Sequence, residues 1–445
     1  MVRMFRLKNL NIVDTISGLV KVPLNVIISG NNIKDICETS EPFADDILEV
    51  DCTGKYAIPG LFDSHTHLAT LTNQPAEVER EIFNECQLME TFEGGKLDRL
   101  VLPDFVRRGI TQIRDLGGPV ETLRRMKRDI VDKVMKGPDI LYAGPMLEMP
   151  PLTGAQMNER WPGWTVAVES EDHAETIVTS LKEDRVSCLK AFGRFKSAVL
   201  ESLVSHAREM DLPVTCDPGP TFFHDIDVSK GLYLGIRCFE HAKSIWYSVL
   251  KDDLKCEHDQ LKSAKREERG EYTQKLMSAG PESISIPKLD ELAGEMAADN
   301  TLLCPTLHIF KFYSEKPEVF NDQEPEKFRP IFATMFEVGR VIVNHLAKRG
   351  IRMLVGQDGY IPRFTHQEML LLSENGLRPL EILKGATVYP AQWFGLTEKY
   401  GSIETGKKAN LVILDANPIE DIRNAQNIRM VILDGQIVYQ SERFH

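Results

Sequence analysis

The chain has 445 residues, 42% hydrophobic and 27% charged, with a formal charge of −13. That length is enough for one large domain with a smaller companion, and the composition is that of a globular protein. The acidic balance argues against a nucleic-acid partner, no apolar stretch approaches the roughly 20 residues that span a bilayer, and the first residues lack a secretory pattern, so a cytoplasmic location is expected.

The first 59 residues contain short strand-like runs, FRLKNLNIVD, LNVIISGNNIKDI and ILEVDCTGKYAIPG, and ANLVILDANP and IRMVILDGQIVYQ follow near the other end. All read as short antiparallel strands between turns. Neither end buries much surface alone, so the expectation is one small composite β-sandwich built from 1–59 plus 400–445.

Between them, residues 60–399 repeat one unit, in which a short apolar run ends in a polar or glycine-containing turn and a helical stretch follows. The runs are LFDSHTHL, ITQIRDLGG, DILYAGPML, VSCLKAFG, LPVTCDPG, GIRCFEHA, TLLCPTLHI and RMLVGQDGY. AVLESLVSHAREM and RVIVNHLAKRG carry helical spacing, the second closed by Gly350. Eight apolar strands alternating with helices predict an α/β fold, a (β/α)8 TIM barrel. The charged segment 247–285, helical in period, reads as an excursion after the sixth strand, either covering the mouth or forming a solvated hairpin. The eight cysteines are scattered without a CxxC pair, so buried free thiols are expected.

In such a barrel, polar residues at the C-terminal strand ends carry the chemistry. His65 and His67 lie two apart, share one strand face and can converge on a metal ion; the alternative is a pair of hydrogen-bonded interior histidines. Lys190 interrupts an apolar strand. Burial disfavours an ammonium, and a neutral amine can add carbon dioxide to give a metal-bridging carbamate; otherwise the lysine's head reaches solvent. His241 ends the sixth strand in a register that could face the histidine pair. Asp358, at the end of the eighth, is the carboxylate to bind the metal and to hold and shuttle the proton of its water, unless QDG is a plain turn. Imidazole and carboxylate donors suit a divalent ion, zinc first, with manganese and iron open.

IPGLFDSHTHL, GITQIRDLGG, CLKAFG, CFEHA, LVGQDGY with His366 downstream, and GSIETGKKANLVILDANPIEDI together resemble the amidohydrolase superfamily of metal-dependent hydrolases, in particular the imidazolonepropionase-like group that includes dipeptidases and prolidases. The resemblance implies a distorted TIM barrel beside a composite β-sandwich, and hydrolysis of amide, cyclic amide or dipeptide-like carbon–nitrogen bonds in a small-molecule substrate. It implies that His65, His67, Lys190 and Asp358 hold one ion and that a carboxylated Lys190 and His241 share a second. His366 joins the substrate-binding candidates. Two departures stand out. The fifth-strand histidine of the family is replaced in LPVTCDPGP, where Asp217 either takes over as ligand or sits in a polar turn, so one ion or two are both open. The loop LTGAQMNERWPGW brings Trp161 and Trp164 near the mouth, to contact substrate or to anchor the loop. Ester, lactone or phosphotriester hydrolysis is the alternative reaction, a catalytically lapsed barrel acting as a binding protein is the alternative class, and pairing into a homo-oligomer is compatible with the fold.

Overall fold

A computed structural model describes residues 4–38, 47–86, 97–218, 226–321 and 323–441. The N-terminal part forms β1 (Met4–Val13), β2 (Val20–Ser29), β3 (Asn32–Glu38), β4 (Leu48–Asp51) and β5 (Tyr56–Pro59). The middle contributes β6 (Leu61–Thr66), β7 (Ile110–Asp115), β8 (Asp139–Tyr142), β9 (Met146–Glu148), β10 (Thr165–Ala167), β11 (Leu189–Phe192), β12 (Val214–Asp217), β13 (Cys238–Glu240), β14 (Leu302–Cys304) and β15 (Arg352–Met353). The C-terminal part adds β16 (Leu411–Leu414), β17 (Ile428–Leu433) and β18 (Gln436–Gln440).

Strands from both ends join one eight-stranded sheet in the order β18-β17-β16-β5-β1-β2-β3, with β4 also on β1. Leu7, Ile12, Val26 and Ile28 from the first strands pack with Leu411, Ile413, Met430 and Ile432 from the last, so neither end buries its apolar face without the other. One expectation is corrected. β4 and β5 run parallel to β1, not antiparallel, because the chain crosses β2 and β3 before it returns to β1.

Each of the eight runs in the middle contains a strand, and the ladders are parallel throughout. They fall into a seven-stranded sheet, β10-β9-β11-β12-β13-β14-β15, and a three-stranded sheet, β6-β7-β8. Backbone hydrogen bonds join the two at both seams. Ser187 N–H donates to the Tyr142 carbonyl, and Ser64 and His67 N–H donate to Val355 and Gly359. Helices such as Ser197–Glu209 and Pro325–Lys348 lie between successive strands, giving a TIM-barrel-like α/β fold. The second seam is close. A Cβ on Gly356 would stand 2.7 Å from the His65 nitrogen and 2.6 Å from Cys304 Sγ, so only glycine lets the eighth strand reach the first.

β6 and β7 are buried along their whole length, yet alternate positions are polar: Asp63 and His65 on one, Gln112 and Arg114 on the other. The interior side of these strands is therefore a polar network. The segment 247–285 forms helices Asp252–Gln260 and Arg266–Ala279, which bury Leu254, Tyr272 and Leu276. Lys255 pairs with Asp227, and Thr334 of the long helix donates to the Met277 carbonyl, so the excursion packs on the outer helices. Among the described residues no disulfide joins the eight cysteines, and six of them are buried. Among the described residues no helix is long and apolar enough to cross a membrane.

Candidate metal centre

Three strands are followed by residues with positive φ. His241 follows β13 with φ 65°, Thr306 follows β14 with φ 49°, and Asp358 follows β15 with φ 57°. A left-handed backbone costs a non-glycine residue about 1–3 kcal/mol, and it swings each side chain out of the strand's alternation toward the rim. Strain collected at one end of three neighbouring strands marks that end as a candidate site.

His65 lies on β6 and His67 just beyond it, with ring centroids 5.4 Å apart. Both meet one atom: Asp358 Oδ1 is 3.2 Å from His65 Nε2 and 3.1 Å from His67 Nε2. The opposite ring nitrogens fix the tautomers. His65 Nδ1 stands 2.8 Å from Glu240 Oε2 and His67 Nδ1 stands 3.4 Å from the Gly117 carbonyl; both partners only accept, so each Nδ1 carries the hydrogen. The two Nε2 atoms then face one carboxylate oxygen. Acceptors at such distances need a shared cation between them, and this donor set suits a divalent ion. Ligand atoms of His65, His241 and Asp358 all lie within 4.8 Å of one another, which places His241 within reach of the same ion.

Burial, with the Lys190 charge, drives the His65 pKa down to about 3 against the pull of Asp358 and Glu240, so the ring is neutral at physiological pH. Burial raises the Asp358 carboxyl, but His65, His241 and His67 outweigh it and hold it well below the usual range. Lys190 is fully buried, with Nζ 3.2 Å from His65 Nε2, and forms no ion pair among the described residues. Asp217 is equally buried and does not face the histidine pair. Its Oδ2 lies 3.1 Å from His241 Nε2, Ser244 donates to Oδ1 at 2.9 Å, and Lys243 Nζ stands 3.6 Å from Oδ1. Thr306 Oγ1 sits 2.7 Å from the other nitrogen of His241.

Trp161 and Trp164 are buried with Ala69 and Met146. Trp161 donates to the Thr72 carbonyl at 2.8 Å, and Trp164 lies 5.4 Å from the His67 ring, so both anchor the loop and Trp164 backs a histidine. His366 is not brought to the rim. It is buried against the Arg108 carbonyl at 2.8 Å, beyond the start of β7 and at the opposite end of that strand from Asp115.

Glu240 and Arg114 went unread in the sequence. Arg114 donates to Glu240 at 2.6 Å and to the Ser64 carbonyl at 2.5 Å, while Thr215 adds a third bond to Glu240. Burial opposes the Glu240 charge, but Arg114 and His65 prevail and keep the carboxylate ionised. The signal was there: each is a charge inside a strand buried along its whole length, as Lys190 is a charge on a largely buried one. His65, Glu240 and Cys304 form a second cluster with ligand geometry, but Glu240 is already held by Arg114 and Thr215.

Parallel strands carrying histidine, aspartate and lysine to one rim define a TIM-barrel-like protein with a candidate metal centre. Residues 262–438 match the Amidohydrolase family, a stretch that includes Thr306 and Asp358 but begins after His65, His67, Lys190, Asp217 and His241. An imidazolonepropionase of Thermoplasma acidophilum is 38% identical over 73 residues, 16% of this chain and 18% of that protein. A 5'-deoxyadenosine deaminase of Methanobrevibacter smithii is 32% identical over 90 residues, 17% and 21% of the two chains. The matched stretches thus span only about a fifth of these curated relatives. A solved Xaa-Pro dipeptidase with bound methionine superposes with TM-score 0.73 at 19% identity, covering 98% of this chain and all of the other. Over residues 262–438 the chain is thus similar to the Amidohydrolase family, and along its whole length it shares the fold of the dipeptidase.

Proposed function

We propose that this protein is a metal-dependent hydrolase that cleaves a carbon–nitrogen bond of an amide, cyclic amide or dipeptide-like small molecule. The observation that carries the reading is the meeting of two tautomer-fixed imidazoles on one oxygen of Asp358. His65, His67 and Asp358 would hold a divalent ion, zinc by preference, joined by Lys190 as its carbamate. Such an ion, when bound, supplies Lewis acidity toward a carbonyl and toward water. Asp358 Oδ2, 3.7 Å from His241 Nδ1 and clear of the two imidazoles that engage Oδ1, takes the proton of the attacking water and returns it to the leaving nitrogen. Beside it, the segment Gly359–Ile361 helps to line a cavity of about 580 Å³ walled by Phe312, Tyr313, Tyr360 and Phe364, with Glu77 and Glu81 at its edge. This cavity suits an apolar, uncharged or cationic part of the substrate. The architecture consistent with this reading is a distorted, closed (β/α)8 barrel over 60–399 beside a β-sandwich from 1–59 and 400–445.

The test is a panel of matched amide, ester, lactone and phosphotriester substrates on zinc-loaded and chelator-stripped protein. Amide turnover that disappears on stripping supports the reading. Turnover of the oxygen esters alone shifts it to the other bond class, and full-length protein that neither binds zinc nor turns over any substrate is a lapsed barrel.

A further inference from the structure

The resemblance implies a second ion between Lys190 and His241, with Asp217 in the fifth-strand position, yet the donors on that side are already satisfied by the chain. Asp217 Oδ1 accepts the Ser244 hydroxyl and faces the Lys243 ammonium, while Oδ2 faces His241 Nε2. His241 Nε2 is thus turned to the Asp217 carboxylate, and its other ring nitrogen, Nδ1, lies toward Thr306 and Asp358. A dication at Asp217 would have to displace His241 Nε2 and sit beside an ammonium whose side chain is 9% exposed, where like charges are poorly screened. The two rim lysines differ in this respect. Lys190 forms no ion pair among the described residues, whereas Lys243 has Asp217 for a counter-ion.

We propose that the centre holds a single divalent ion, on the His65–Asp358 side, and that the Lys243 ammonium takes the place of a second ion by neutralising Asp217. This rests on the metal-dependent reading above. The full-length protein, stripped by chelator and titrated with zinc, is examined by native mass spectrometry, which counts ions per chain, and by peptide mapping for the mass of bound carbon dioxide. One ion per chain is expected in the wild type. Lys243→Met, similar in length but uncharged, is expected to take up two, and Lys243→Arg to remain at one; Lys243→Gln serves if the methionine variant does not fold. Two ions in the wild type, or one in both uncharged variants, overturns the proposal. No ion at all in the wild type overturns the metal-dependent reading on which it rests, and a carbamate on Lys243 removes the ammonium and overturns the proposal directly.

Discussion

Lys190 and Lys243 are two buried lysines at one rim with opposite surroundings. Lys190, on β11, stands against an imidazole and has no ion-pair partner among the described residues. Lys243, one turn past β13, lies 3.6 Å from a buried carboxylate that Ser244 and His241 also hold. A buried ammonium beside a carboxylate is compensated, and one without a counter-ion is not. The same residue type is thereby suited to be a ligand on one side of the rim and a fixed cation on the other. The neighbouring carboxylate decides which.

The largest effect is expected at the atom that unites the first side. Asp358→Asn keeps its contacts to the histidines but loses the proton acceptor, so kcat is expected to fall by about 10²–10⁴-fold while the zinc count is retained; a normal rate would remove Asp358 from the chemistry. Arg114→Met leaves Glu240 charged and buried beside His65, which costs about 3–5 kcal/mol in urea unfolding if the pair behaves like other buried pairs broken on one side. Glu240→Gln keeps the shape but weakens the acceptor for His65 Nδ1, and zinc affinity is expected to drop about 10–100-fold by calorimetric titration. If Asp217→Asn instead has the larger effect on zinc affinity, the two sides have been assigned the wrong way round.

The most gradual effect, smallest per unit of change, is in the pH dependence of stability. Asp217, Glu240 and Asp358 have folded pKa values lowered from their unfolded values, so their contribution is present above the unfolded values, 3.8 to 4.5, and is lost on acidification below them. Glu368 is the reverse. Burial raises it to about 8 although the backbone N–H groups of Leu307 and His308 favour the charged form. Its contribution is present below 4.5 and is lost as pH rises through about 8. Chemical denaturation of Glu368→Gln and wild type is expected to diverge across that window by at most about 1.4 kcal/mol per pH unit. Parallel curves would show that Glu368 is ionised throughout.

Much of this was legible in the chain. The eight runs could be read because strands buried on both faces need continuous apolar stretches, and LFDSHTHL stood out as a candidate site because a two-residue spacing is local geometry. The direction of β4 and β5 was not legible, since short strands carry no mark of which neighbour they join. His366 was misplaced for a related reason: its helix reaches back to Arg108, 258 residues away, and nothing local announces that contact.

By itself the sequence determined which residues could bind a metal and on which strand ends they stand, because periodicity and charge within apolar runs are properties of neighbouring positions. Only the folded chain decided which nitrogen of each histidine points into the centre, since His65 takes its tautomer from Glu240, 175 residues away, and Glu240 takes its charge from Arg114, 126 residues away. The tertiary structure also gave Asp217 a lysine for its partner. Proton positions and charge states depend on what stands within a few ångströms, and in a buried rim those neighbours come from distant strands.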